Sequence, residues 1–133
     1  MTRFAIDAPT ALRLLEDGAD LPAEHALVAP ALLKSQVLER LFQEVRAGRR
    51  DERGAQELLR GLAMMRIRLL SDRVSRATAW RIASDQRLPV TWPAEYLAVT
   101  RLQADVLVTD DPELLGAAEA GGVPTTGSAT LLA

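Results

Sequence analysis

Four acidic side chains stand at helix starts, three of them where short apolar runs give way to helices. Asp7 ends the run Arg3-Phe4-Ala5-Ile6, and Asp110 and Asp111 follow Val106-Leu107-Val108-Thr109, with Pro112 directly after them. Glu95 lies in the first turn of a helix that Thr91-Trp92-Pro93 opens. In an open α/β sheet, ligands bind outside the carboxyl ends of the strands. If the first and fourth strands are neighbours, three parts of the chain bring carboxylates to one edge. Unpaired carboxylates held together repel and raise each other's pKa. A cation relieves that repulsion. Oxygen ligands suit Mg²⁺ or Mn²⁺, and such an ion polarises a phosphate and generates hydroxide from bound water. Each acid also has a plain structural role open to it. Asp7 and Asp111 can cap helices, and Glu95 suits the positive end of a helix dipole. Capping explains any one of them; the repetition at one edge is what favours a metal.

The elements that must position these acids alternate along the chain. Strand, helix, strand is the order from Arg3: Pro9 opens a helix to about Asp17 that Gly18 ends, and Ala26–Ala29 is the second strand. Pro30 starts a long helix to about Ala47, with Leu32, Leu33, Val37, Leu38, Leu41 and Phe42 as its apolar stripe. Asp51 and Glu52 begin a helix to about Leu62, acidic at its start as the dipole prefers. Ile67–Leu70 is a third strand, and a helix from Arg73 to about Gln86 follows a cap at Ser71 or Asp72. The next helix reaches Ala104, with Ala94, Leu97, Ala98 and Leu102 inward. Pro112–Ala120 is the last helix, Gly121-Gly122 its end, and Val123–Thr126 a marginal fifth strand before Leu131 and Leu132. Strands alternating with helices favour a parallel sheet covered by helices, because parallel neighbours need crossovers. No repeat, linker or low-complexity tract divides residues 1–133, which suggests one domain.

Composition narrows the function. Hydrophobic content is 48% and charged content 26%, as in a globular protein. No apolar run approaches the ~18 residues of a membrane span, and the N-terminus lacks a signal-like core. A cytoplasmic location is expected. With no cysteine there are no disulfides and no thiolate metal sites. Charge is uneven: residues 40–87 hold twelve arginines against six acids, whereas residues 88–133 hold one arginine and six acids. An arginine-rich middle can face nucleic acid beside a metal-binding cluster, or simply solvate helix faces. His25, the one histidine, falls in a polar loop with Pro22 and is taken as a surface residue, so no zinc site or His-centred triad is expected. Ser35, Ser71 and Ser128 lack a nucleophile elbow. Trp80 is expected in the core or an interface. Trp92, beside Glu95, is read as buried packing ahead of a base-stacking role.

The chain resembles the PIN-domain nucleases, specifically the VapC-like toxins of type II toxin–antitoxin modules. The resemblance spans nearly the whole chain and is carried by FAIDAPTALRLL, LVAPALLKSQVLERL and AEYLAVTRLQADVLVTDDPELL. It implies a three-layer α/β/α sandwich with a central, mostly parallel sheet of four or five strands. It also implies an Mg²⁺- or Mn²⁺-dependent endoribonuclease, an RNA substrate, a cognate antitoxin and a homodimer. The family's metal-binding Asp after the first strand maps to Asp7, and the Asp of its Thr-x-Asp maps to Asp111, with Thr109 as the Thr. Two positions depart. The family's Glu in the second helix is Gln36 here, with Glu39 three residues on, and an Asp two residues before Glu95 is Pro93. The expected site is thus Asp7, Glu95, Asp110 and Asp111 around one metal, with Asp7, Glu95 and Asp111 catalytic. The alternative is a degenerate PIN domain that binds RNA or a protein with little or no nuclease activity. A phosphate-binding α/β domain ranks last, because no glycine-rich loop follows the first strand.

Overall fold

The computed structural model describes residues 1–18, 21 and 24–132. Five parallel strands form one sheet: β1 (Thr2–Ile6), β2 (His25–Pro30), β3 (Ile67–Leu70), β4 (Val106–Val108) and β5 (Thr125–Thr126). Among the described residues six α-helices accompany them: α1 (Ala8–Asp17), α2 (Leu32–Arg46), α3 (Glu52–Met64), α4 (Arg73–Gln86), α5 (Trp92–Gln103) and α6 (Pro112–Ala120). A 3₁₀ turn at Ser128–Thr130 closes the chain. The strand order is β3-β2-β1-β4-β5, all neighbours parallel. Helices α1, α2 and α3 pack together, while α5 packs against α4, α6 and strands β1, β2 and β4. The result is the α/β/α sandwich expected from the resemblance.

The central strands are apolar on both faces because both are covered. Ala5, Ile6, Val28, Ala29, Leu107 and Val108 are buried, the continuous runs that parallel strands require. Helix α5 is the innermost helix: from Pro93 to Thr100 every residue except Glu95 is buried. Such a helix is apolar nearly all round, so its periodicity carries little information about which side faces where.

Several sequence expectations change in three dimensions. Pro30 does not start α2; it is the last residue of β2, opposite Leu70, and the helix begins at Leu32. In α2, Leu33, Val37 and Leu41 face the core, but Leu38 and Phe42 are 53% and 55% exposed. The core covers a narrower stripe than the apolar residues would fill, and the Arg46 guanidinium lies over the Phe42 ring at 5.8 Å. Leu102 is partly exposed, and Trp80 is 73% exposed and so is not core. His25 lies in no loop: it opens β2, and its ring meets Phe4 edge-on at 5.1 Å. Pro22, placed with it in that loop, falls outside the described residues. Among the described residues no helix is long and apolar enough to cross a membrane.

Candidate active site

Strand order 3-2-1-4-5 reverses direction between β1 and β4. Their connections leave to opposite sides, and a crevice opens between their carboxyl ends. Register then sets what enters it. Ile6 pairs with Val108, so Asp7 and Thr109 emerge side by side, 102 residues apart in sequence. Asp7 caps α1, its Oδ1 accepting the Thr10 N–H at 3.0 Å. Its Oδ2 accepts the Thr109 hydroxyl proton. The same hydroxyl oxygen accepts the Asp111 N–H at 3.0 Å. Asp111 caps α6, Oδ1 accepting the N–H groups of Glu113 and Leu114. Thr10 completes the junction by donating its hydroxyl to the Val108 carbonyl. Both capping and clustering are therefore true of Asp7 and Asp111. The caps fix the carboxylates, and the switch point brings them together.

Asp7 and Asp111 line one open cleft of about 550 Å³. Its far wall is α2, which contributes Gln36, Glu39, Arg40 and Gln43; Arg49, just beyond the helix, also lines it. Trp92 and Tyr96, one turn apart on α5, form another side, their rings edge-to-face at 6.2 Å. Tyr96 is fully buried beneath the cleft, and its hydroxyl donates to Gln36 Oε1 at 2.5 Å. Burial first, then the nearby Asp7 and Glu95 carboxylates, hold the phenol well above the usual tyrosine range. Glu39, the acid one turn beyond Gln36, also faces the cleft and accepts from Gln43 Nε2 at 2.9 Å. Glu44 at the cleft edge is neutralised by Arg50 at 3.1 Å.

Glu95 and Asp110 do not join this pair. On α5, Trp92 and Tyr96 face the cleft, and one residue of helical rotation turns Glu95 away. With Thr91 and Val99 it lines a separate groove of about 300 Å³ against Arg76 and Trp80 of α4. Burial there pushes its carboxyl pKa up. Asp110 precedes the cap residue and points the other way. It accepts the backbone N–H and the hydroxyl of Ser128 and pairs with Arg13 at 3.2 Å. Those Ser128 bonds, with Arg13, hold its carboxyl below the usual range. Asp110 thus ties the 3₁₀ turn to α1 instead of extending the cluster.

Among the described residues no three His, Cys, Asp or Glu side chains gather closely enough to hold a metal ion. The carboxylates that meet at the strand ends are two aspartates, with Glu39 on the opposite wall. Mg²⁺ is commonly held by one or two carboxylates plus substrate phosphate oxygens and waters. The pair therefore fits a divalent cation that arrives with an anionic substrate, not one caged by protein alone. The residues that sequence reasoning passed over are Tyr96 and the particular arginines Arg40 and Arg49. Tyr96 was detectable as the i+4 partner of Trp92. No local signal distinguishes Arg40 and Arg49 from the other ten arginines of the middle segment.

No protein-family model matches the sequence, and no curated protein matches it. Solved structures do. The crystal structure of PAE2754 from Pyrobaculum aerophilum aligns with a TM-score of 0.75 at 24% identity, covering 98% of this chain and 93% of that one. VapBC2 from Rickettsia felis, bound to a DNA fragment from its promoter, aligns with a TM-score of 0.64 at 6% identity, covering 94% and 98%. VapBC-1 from nontypeable Haemophilus influenzae aligns at 0.62 and 12%, covering 96% and 98%. At these identities the likeness is one of fold. The chain shares the fold found in these structures, in line with the α/β/α sandwich that the sequence resemblance implied.

Proposed function

We propose that this protein is a ribonuclease of the toxin–antitoxin type that hydrolyses RNA phosphodiesters with one divalent cation, Mg²⁺ or Mn²⁺. The observation that carries the reading is the meeting of Asp7 and Asp111 at the sheet's switch point, joined through Thr109, in a cleft open to a polymer. The two carboxylates would hold the cation, which would supply positive charge near the scissile phosphate and lower the pKa of water there. Thr109 holds both aspartates in place. Arg40 and Arg49 on the opposite wall attract the phosphate backbone. Trp92 lines the cleft beside them. Glu95 and Asp110 stand outside this constellation. Leu38 and Phe42 of α2, with Val74 and Trp80 of α4, leave exposed apolar surface for a cognate antitoxin and for a second copy of the chain.

The test is cleavage of total RNA in Mg²⁺ or Mn²⁺, with and without EDTA. Cleavage should be EDTA-sensitive, lost in Asp7→Asn and Asp111→Asn, and kept within about twofold in Glu95→Gln, since a surface or groove change costs well under 1 kcal/mol of transition-state binding. Equal cleavage by wild type, Asp7→Asn and Asp111→Asn removes the assignment. A second reading, a degenerate domain that binds without cutting, is favoured because, among the described residues, no third acid gathers with Asp7 and Asp111 closely enough to hold a metal ion. Calorimetry showing no Mg²⁺ or Mn²⁺ binding at millimolar metal, with RNA or a protein partner still retained, selects it.

A further inference from the structure

We infer that Gln36 gives a carboxamide N–H to a phosphate oxygen of the bound nucleic acid, and that Tyr96 is the residue that aims it. This rests on the cleft being a nucleic-acid site and names one of its contacts. A phenol has one proton to give, and Tyr96 gives it to Gln36 Oε1 at 2.5 Å. That bond sets the carboxamide: oxygen toward Tyr96, Nε2 away from it. Gln36 is only half-buried and lines the cleft with Asp7 and Asp111, so Nε2 is left facing the space a ligand enters.

The consequence is a change in what this wall of the cleft recognises. A glutamate at position 36 would keep one oxygen on Tyr96 and present the other as a third acid. The glutamine presents a neutral donor instead. Arg40 lies one turn further along α2 and Gln43 a second turn, both on the same cleft wall. Gln36 and Arg40 thus present donors opposite the two aspartates, while Gln43 gives an Nε2 proton to Glu39 on the same wall. Neighbouring donors such as Gln36 and Arg40 suit anionic oxygens.

The experiment uses the full chain with Gln36→Ala, Gln36→Glu and Tyr96→Phe, and two readouts that need no cleavage. One is fluorescence anisotropy with a labelled single-stranded oligodeoxynucleotide in EDTA; the other is calorimetry with Mn²⁺ alone. A hydrogen bond to a charged group implies about a tenfold loss of oligonucleotide affinity in Gln36→Ala, and a larger loss in Gln36→Glu. Gln36→Glu should at the same time tighten Mn²⁺ by about tenfold, as a third carboxylate joins the pair. Tyr96→Phe should weaken the oligonucleotide by a smaller factor in wild type and by nothing further in Gln36→Ala, a non-additivity that general destabilisation does not produce. Gln36→Ala binding within about twofold of wild type, unchanged Mn²⁺ affinity in Gln36→Glu, or no oligonucleotide binding by wild type overturns the inference. The Gln36 variants change a half-exposed helix residue, so they stay informative if Tyr96→Phe does not fold. Should these shifts occur while total RNA stays intact, the ribonuclease reading falls and the Gln36 contact stands.

Discussion

Replacing Thr109 by Val removes one hydroxyl and nearly preserves side-chain volume. In the wild type that hydroxyl is buried and serves two partners, donating to Asp7 Oδ2 and accepting the Asp111 N–H. Valine leaves both without it. A buried polar group stripped of its partner costs about 1–3 kcal/mol, and charged groups more. Asp111 N–H is only partly buried and belongs at the low end, whereas the Asp7 carboxylate is almost wholly buried and belongs at the high end. Together they give about 4 kcal/mol, or roughly a 15 °C lower midpoint for a chain of this size. Thermal unfolding by circular dichroism of wild type, Thr109→Val and Thr109→Ser measures it. Serine keeps the hydroxyl, so it should lose only the packing of one methyl, about 1 kcal/mol. The carboxylate pair loses its link in Thr109→Val, so EDTA-sensitive cleavage at a temperature where the variant is folded should fall by tenfold or more, on the order of 1.4 kcal/mol in the barrier. A Thr109→Val melt within about 2 °C of wild type would mean that the hydroxyl does not hold the junction, and the structural basis for the site would go with it.

Two further outcomes follow from charges outside that junction. Asp110 has its carboxyl pKa lowered by Ser128 and Arg13, below its ordinary 3.8. Its ionised form therefore stabilises the fold above that value, and the benefit is lost as pH falls below 3.8 through the depressed folded pKa. Asp110→Asn should be less stable than wild type at pH 7, with the gap closing below 3.8; a gap independent of pH refutes the assignment. Arg40 and Arg49, if they meet phosphates, should each lower the slope of log K against log salt by about one when changed to Ala, with weakening that is uniform across RNA sequences. An unchanged slope in both variants places the phosphate path elsewhere.

Much of the fold was readable because each element carries local punctuation. Gly18 takes a left-handed conformation, φ 65°, at the end of α1, and Asp7, Asp51, Asp72 and Asp111 each accept N–H groups at helix starts. Caps, apolar periods and turn residues act within a few residues, so sequence order alone exposes them. Where two local roles compete the reading slips by a residue or a face. Pro30 can begin a helix or finish a strand, and only its pairing with β3 decides that it finishes one. Leu38 and Phe42 continue the apolar period of α2, but which part of that period is covered depends on where α1 and α3 lie.

The linear chain determined by itself that Asp7, Asp110 and Asp111 stand at strand-to-helix edges and Glu95 in the first turn of a helix, since type and position suffice for that. Which of them face one another was decided only by the tertiary structure. Strand order puts β1 beside β4, and register puts Asp7 beside Thr109. Helical rotation sends Glu95 to the α4 groove, while Ser128 and Arg13 draw Asp110 to the opposite side. The physical reason is range. Capping is a contact between near neighbours in sequence, whereas a carboxylate pair made by residues about a hundred positions apart exists only once a parallel sheet has chosen its neighbours.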